Sequence, residues 1–319
     1  MGPLTSAILF SACCDTADVM KRELPFFSII IPTYRRPAQL TACLRSLVRC
    51  NYPRNRLQVI VVDEGSGTPP RAAIAPFSGQ IDLAMIELGS GGVARARNFG
   101  ARHARGDYLA FIDDDCAATS DWLSALASGL TSAPGCAVCG RTVNALPQRM
   151  TSEASQMRLD YLNLHYNTGP ERDRFIAVNN LAVPAPGFRE LGGFDESFPL
   201  ARGEERDFCG RWVSSGRKLI YAADAVVLDA HTPTVLTFLR EHFANGLGAY
   251  SFQRARARRG EEELRNEPVG FYWDLVTFPF ARRAGWRAPL LAGLIAVSQC
   301  ASAVGYCWAR LGAGPTIGH

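Results

Sequence analysis

Residues 108–115 read Tyr108-Leu109-Ala110-Phe111-Ile112-Asp113-Asp114-Asp115. The apolar run follows a Gly106-Asp107 turn and is the pattern of a strand buried on both faces, as in a parallel sheet. It stops on three carboxylates, which repel one another and add nothing to an apolar core. At a strand end residues i and i+2 project the same way, so Asp113 and Asp115 are expected to face one site. Paired carboxylates suit Mg²⁺ or Mn²⁺, hard ions that also bind phosphates. In isolation the run reads equally as a solvated acidic loop.

The flanking sequence removes that isolation. Upstream, Phe27-Ser-Ile-Ile-Ile31 and Leu57-Gln-Val-Ile-Val-Val62 are further buried strands, and Ile81–Leu88 is a third candidate. Helical spacing of Leu40, Cys43, Leu44, Leu47 and Val48 makes Ala38–Arg49 an amphipathic helix between the first two. A glycine loop at 89–92 leads into a second helix, Val93–Arg105, and Asp121–Leu130 is another. Strand, helix, strand is the βαβ unit, and open parallel sheets bind ligands at the C-terminal strand edge. That edge collects Thr33, Tyr34, Asp63 and Asp113–Asp115. Tyr34 offers an aromatic face for a base, and Asp63 an acceptor for a base or ribose. Arg95 and Arg97 lie just past the glycine loop, within reach of phosphates, and Asn98 is placed to order that loop. The glycines alone read equally as a connector.

Composition sets the outer limits. The 319 residues are 47% hydrophobic and 20% charged, which excludes a disordered chain and allows about two domains. A net charge of +4 is too small to imply nucleic acid. Ten cysteines in this length are too sparse for a disulfide scaffold, and Cys43, Cys136, Cys139, Cys300 and Cys307 sit in apolar runs. Cys136-Ala-Val-Cys139 therefore reads as a buried strand rather than a metal or redox pair. This usage fits a cytoplasmic protein. Residues 1–24 contain a short apolar run with no preceding Lys or Arg, so they read as a mobile leader and not a signal peptide.

Residues 136–235 are less regular. Cys136–Val143 and Phe175–Val178 read as strands, Gly192–Asp195 as a turn, Asp207–Ser215 as a helix and Leu219–Leu228 as a strand. Thr234–Arg259 is a helix whose basic end carries Arg254, Arg256, Arg258 and Arg259; it suits anionic lipid, a phosphate-bearing acceptor or plain solvent. Pro289–Trp308 has no charged side chain and is long enough for about 30 Å of hydrocarbon. Ser298, Gln299 and Ser302 weaken it as a span. Arg282, Arg283, Arg287 and Arg310 flank it, and Trp273, Trp286 and Trp308 stand like interfacial anchors. Two readings stay open: a helix hairpin packed on the domain, or membrane contact, either spanning the bilayer or lying on its inner face.

The motifs together resemble those of family 2 glycosyltransferases with the GT-A fold. Ile31-Pro-Thr-Tyr-Arg-Arg-Pro37, Val61-Val-Asp-Glu-Gly-Ser66, Ala96-Arg-Asn98 and Phe111-Ile-Asp-Asp-Asp115 follow the family's order. Gly192-Gly-Phe-Asp-Glu196 and Gly203-Glu-Glu-Arg-Asp-Phe-Cys-Gly-Arg211 continue it, so the resemblance covers roughly residues 26–235. It implies an α/β, GT-A-like nucleotide-diphospho-sugar transferase fold: a mostly parallel central sheet flanked by helices, with a helical C-terminal appendage. Residues 25–135 would be the donor-binding half, 136–235 the acceptor and catalytic half, and 236–319 the appendage.

The resemblance also implies inverting transfer from a nucleotide-diphosphate sugar to a saccharide, lipid-linked or small-molecule acceptor, assisted by Mn²⁺ or Mg²⁺. By position, Thr33, Tyr34, Asp63, Arg97, Asp113 and Asp114 would hold the donor nucleotide. Asp115 would ligate the metal, with Asp113 and with His231, which follows the last strand. Asn180 and Asp195 fall where the family lines the acceptor pocket. Inversion in one displacement needs a base for the acceptor hydroxyl. The family uses the second residue of a Glu-Asp pair, whereas this chain has Glu204-Glu205, so Glu205 is expected to serve and Glu204 is its alternate. Adjacent carboxylates can raise one another's pKa. A metal-dependent nucleotidyltransferase and a non-catalytic nucleotide-sugar-binding module are the competing readings. A Rossmann dehydrogenase fits poorly, because the 89–94 loop lacks GxGxxG spacing.

Overall fold

The computed structural model describes residues 24–167, 178–198, 202–261, 267–282 and 284–312. The expected leader, apart from Leu24, and the strand expected at 175–178, apart from Val178, lie outside the described residues.

Four continuous apolar runs build the first half of one sheet. They are β1 (Phe27–Thr33), β2 (Leu57–Asp63), β3 (Asp82–Glu87) and β4 (Tyr108–Phe111). β5 (Cys116–Ala118), β6 (Ala137–Asn144), β7 (Leu181–Pro184) and β8 (Leu219–Asp229) complete it, in the order β3-β2-β1-β4-β7-β6-β8-β5. Side-chain alternation divides β1 between two cores. Ile29 and Ile31 face α1 (Pro37–Val48) and α4 (Trp122–Ser132), while Ile30 faces α3 (Gly92–Arg102) and α7 (Glu204–Ser214). The sheet is mostly parallel, as expected, with two reversed strands. β3, β2, β1 and β4 run parallel, as do β6 and β8, but β7 is antiparallel to both neighbours and β5 is antiparallel to β8. The reversed strands are three or four residues long, too short for a periodic signal.

Two short helices, α2 (Arg71–Ile74) and α6 (Ala185–Glu190), fill connections. A third core lies off the sheet, between α5 (Met150–Asn167), α8 (Val235–Arg258), α9 (Val269–Ala281) and α10 (Ala288–Arg310). Its buried side chains include Ala154, Met157 and Tyr161 of α5 with Phe238, Leu275 and Ile295. Packing therefore does not divide at residue 235, because α5 shares its core with the C-terminal helices. Among the described residues six cysteines are buried and form no disulfide, Cys136 and Cys139 among them, but Cys300 and Cys307 are exposed on α10, against the expectation of a packed role.

Helix α8 meets its neighbours through backbone. A Cβ on Gly246 would lie 1.9 Å from the Ser302 carbonyl oxygen of α10, and one on Gly305 would lie 2.0 Å from that of Phe243. On another side of α8, a Cβ on Gly248 would lie 2.2 Å from the Arg202 carbonyl oxygen. Gly203, at φ +98°, returns the contact, its Cβ position 2.8 Å from the Gly248 oxygen. Backbone atoms cannot swing aside as side-chain tips do. Gly246→Ala is thus expected to destabilise the protein by about 3 kcal/mol, the upper range for overpacking, in urea unfolding. An unchanged midpoint would mean that α8 and α10 separate at little cost.

Candidate active site

The acidic run is a tight turn, not an extension of the strand. β4 ends at Phe111, and the Cys116 amide donates to the Asp113 carbonyl at 3.1 Å. Strand alternation therefore does not apply, and the expectation that Asp113 and Asp115 face one site by that rule is corrected. The three carboxylates splay to different partners. Asp113 accepts from Arg97 Nη2 at 2.8 Å. Asp114 is buried and accepts from Thr33 Oγ1 at 2.7 Å, with Arg36 Nη1 at 3.4 Å. Asp115 lies 3.1 Å from Arg36 Nη1 and 3.4 Å from His231 Nδ1.

Burial, with the charges of Asp115 and Asp113 added, pushes Asp114 up to about 6 against the pull of Thr33 and Arg36. Burial acts upward on Asp115 too. There the His231 hydrogen bond and the Arg36 charge prevail and hold it below the usual carboxylate range. His231 is clamped from its other side by Glu241, 2.9 Å from Nε2, and the two carboxylates push the imidazole up to about 10. Asp229, two residues before His231, is raised to about 6 by burial and by Asp115. Asp115, Cys116 and Asp229 each place a ligand atom within 4.8 Å of the others.

This donor set fits a hard divalent cation. Asp115 and Asp229 supply oxygens, His231 supplies a nitrogen once it gives up its proton, and the crowded carboxylates would gain from a positive charge between them. Burial keeps the Cys116 thiol protonated, well above its ordinary range, which disfavours a thiolate-seeking ion such as Zn²⁺.

Donor-edge residues meet as expected at the C-terminal ends of β1 and β2, where Thr33 and Asp63 are in register. Tyr34 is exposed and stacks with Arg35, whose Cζ is 5.0 Å from the ring centroid. Asp63 is buried and accepts from the backbone N and the Oγ of Ser66. Two donor assignments are corrected. Asp114 is tied inward to Thr33, so it braces the β1 loop rather than facing a ligand. Arg97 is only 4% exposed, and its guanidinium bridges Asp113 and Glu204, at 2.8 and 3.4 Å. Arg97 thus positions two carboxylates instead of presenting itself to phosphates. Arg95 folds back on the glycine loop, donating to the Ser90 carbonyl at 3.0 Å.

Glu204 and Glu205 open α7, and the helix turn separates their roles. Glu204 is fully buried; its Oε2 has no hydrogen-bond partner, and burial, aided by Glu205, raises it to about 7. Glu205 is half-buried and forms no side-chain hydrogen bond with a described residue. Burial raises it as well, against the opposing charges of Arg97 and Arg202.

Asn180 is corrected too. It is fully buried, accepts from Trp122 Nε1 at 2.8 Å, and donates to the carbonyls of Arg141 and Ala225 at 3.0 and 2.8 Å, so it is a packing tie and not an acceptor-pocket group. Asp195 accepts from the Ser197 amide at 2.8 Å within its own turn. Asn98 orders that turn instead of the glycine loop, accepting from Phe194 N and donating to Phe194 O and to Glu196. Asn98→Ala would leave the buried Phe194 amide and carbonyl unpaired. It is expected to cost about 2–4 kcal/mol in thermal or urea unfolding.

Sequence reasoning missed Arg36, Glu64, Asp229 and Glu241. Asp229 carried a signal, a carboxylate ending a strand two residues before a histidine. Arg36 follows the Thr33-Tyr34 loop and was open to the same reasoning. Glu64, raised to about 7 mainly by burial, stands next to Asp63. Glu241, one turn into α8, gave none.

The family model for glycosyl transferase family 2 matches residues 28–188. Among curated proteins, the glycosyltransferase AglE of Haloferax volcanii is 27% identical over 209 residues, covering 65% of this chain and 67% of AglE. The succinoglycan biosynthesis protein ExoM of Rhizobium meliloti is 35% identical over 124 residues, 38% of this chain and 40% of ExoM. Among solved structures, the mannosyltransferase PcManGT of Pyrobaculum calidifontis, in complex with GDP-Man and Mn²⁺, superposes with a TM-score of 0.64 at 18% identity, covering 90% of this chain and 88% of that one. Staphylococcus aureus TarS residues 1–349 with UDP-GlcNAc gives 0.51 at 16% identity, over 90% and 92%. These likenesses show a shared GT-A-type architecture around the acidic turn. With the family model spanning half of its length, this chain belongs to glycosyl transferase family 2.

Proposed function

We propose that the protein moves a sugar from a nucleotide-diphosphate sugar to an acceptor hydroxyl, with inversion, using Mn²⁺ or Mg²⁺. The observation that carries this reading is the Arg97 bridge, which binds the acidic turn and the Glu204-Glu205 turn to one buried guanidinium. Donor and acceptor chemistry thereby share a fixed frame. Tyr34 and Asp63 would receive the nucleoside. Asp115, Asp229 and His231 would hold the cation, which when bound neutralises the departing diphosphate. Glu205 takes the acceptor's proton as its oxygen bonds to the anomeric carbon and the carbon–phosphate oxygen bond breaks. Glu204, fully buried against Arg97, is the positioning member of the pair.

A melting panel tests donor binding: UDP, GDP, CMP and dTDP, free and as sugars, with and without Mn²⁺ or Mg²⁺. A metal-dependent rise with one nucleotide is expected, and NMR of the product then reads the anomeric configuration. No rise with any of them would remove the donor site from this reading. Donor binding without transfer or hydrolysis would leave only a binding module.

The finer location belongs here as well. The exposed face of α10 between Arg287 and Arg310 carries Leu290, Val297, Cys300, Val304, Cys307 and Trp308 and no charged side chain. Its polar groups turn inward: Ser298 donates to Ile295 O, and Ser302 to His242 O at 2.9 Å. Trp273 and Trp286, in α9 and just before α10, are also exposed, at 68% and 79%. A helix packed along one side and apolar on the other suits an interfacial position, with Arg282, Arg287 and Arg310 toward anionic headgroups. Removing α9 and α10 would strip the third core, so substitutions on the outer face are the cleaner test. Val297→Glu with Val304→Glu is expected to abolish flotation with vesicles of mixed neutral and anionic phospholipid. Unchanged flotation would favour the packed-hairpin reading.

A further inference from the structure

Three arginines lie within electrostatic reach of Glu205. Arg202 precedes Gly203, and Arg206 follows Glu205 on the first turn of α7. Arg158 comes from α5, four residues after buried Ala154 and three before buried Tyr161, on the face that packs toward Phe238 of α8. The glycine contact sets Arg202 against α8 at Gly248, and the Arg206 guanidinium lies 5.0 Å from the Phe252 ring centroid of the same helix. None of the three forms an ion pair or side-chain hydrogen bond with a described residue. Neighbouring Arg211, Arg256 and Arg259 all do, to Asp207 or Glu261.

Two further observations point to an anion. His242, on α8, is 4% exposed, and its Nδ1 has no hydrogen-bond partner. Burial, with the charges of Arg158 and Arg202, lowers it to about 3, so it is a neutral donor or acceptor next to this cluster. Burial, with the charges of Arg206 and Arg202, draws Arg158 itself down to about 10. Among the described residues the charges of Arg158, Arg202 and Arg206 are met through space by Glu205, and at Arg202 also by Glu204, with no ion pair to either, and a bound anion would relieve the excess positive charge. Guanidinium forks match phosphate oxygens two at a time.

We infer that Arg158, Arg202 and Arg206 form a phosphate subsite beside Glu205, and that the acceptor is a phosphorylated alcohol. The inference rests on the reading of Glu205 as the base. The phosphate group anchors the acceptor, stays intact, and orients a hydroxyl of the same molecule toward the Glu205 carboxylate.

The test is a binding titration of the full chain in neutral detergent, with EDTA and without nucleotide, so that the donor site lacks its cation. The probes are a 1-acylglycerol 3-phosphate, which keeps a free hydroxyl beside its phosphate, the matching monoacylglycerol, glycerol 3-phosphate and glycerol. At least one phosphate probe is expected to bind 10-fold or more tightly than its neutral counterpart. Arg206→Gln, at an exposed position that folding tolerates, and Arg158→Gln are each expected to weaken it about 10- to 100-fold, with the melting temperature as the folding check. Preference for the acylglycerol phosphate alone assigns a lipid acceptor. Equal preference for glycerol 3-phosphate assigns a soluble one. Equal binding of phosphates and alcohols, or unchanged binding by a folded Arg206→Gln, overturns the inference. No sugar transfer enters the readout, so failure of the transferase reading leaves this result standing, and transfer to neutral acceptors alone would sink only the subsite.

Discussion

Glu205→Gln is expected to keep metal-dependent donor binding and to lower transfer by about 10²–10⁴-fold, the usual worth of a positioned base. The amide keeps the shape but cannot accept the proton. Because burial raises the Glu205 carboxyl, wild-type transfer should fall as pH drops through a value above the ordinary carboxylate range. The base works only when ionised, so the loss lies on the acid side, and that limb should vanish from the residual activity of the variant. Glu204→Gln separates the two neighbours. It removes a buried carboxylate that faces Arg97, so stability and the placing of Glu205 should suffer while an acid limb persists. If Glu204→Gln alone stops transfer in a folded protein, the roles are reversed.

Asp115→Asn is expected to abolish the stabilisation that Mn²⁺ gives with UDP or GDP, and to lower transfer by about 10³-fold or more. Asp115 is the carboxylate that meets both Arg36 and His231, and it groups with Asp229 as the oxygen donors proposed for the cation. At 100-fold excess over its dissociation constant, a ligand raises stability by about 2.7 kcal/mol, which melting curves resolve easily. Asp114→Asn is the control. That side chain braces Thr33, so its loss should lower the melting temperature and leave the metal-dependent increment in place. Retained Mn²⁺ dependence in Asp115→Asn would overturn the ligand assignment.

Sequence showed best what depends on long apolar runs. β1, β2 and β4 are continuous and β-branched or aromatic, and the structure places them within a residue or two of expectation. It showed least where burial is shared among small and polar residues. α5 alternates Thr, Ser, Glu and Gln with Ala154, Met157 and Tyr161, so its inward face is apolar without the stretch reading as amphipathic. β7 is four residues ending in a proline. α9 carries an internal Pro279, which in a lone sequence argues against a helix. At the site, spacing told which residues reach the sheet edge but not which way each would turn. Thr33, Asp63, Asp113–Asp115 and His231 do meet there. Arg97 and Asp114 turn inward because buried carboxylates and hydroxyls need partners more than solvent needs them, and no one-dimensional pattern records that choice. Glu204 and Glu205 diverge for a similar reason: consecutive helical residues point about 100° apart, and here Glu204 faces the core.

The backbone contacts along α8 make three elements behave as a ruler. Side-chain interfaces allow sliding and tilting, because rotamers absorb the motion. Here Gly305 and Gly246 press α10 onto α8, and Gly248 and Gly203 press α8 onto the turn that bears Glu205. Each joint lacks the slack of a single methyl group. The carboxylate proposed as the base therefore stands at a constant height above whatever the outer face of α10 rests on. Reach then becomes a criterion of choice among acceptors: a hydroxyl held at that height is within range, and one held nearer or farther is not, however well its own chemistry fits.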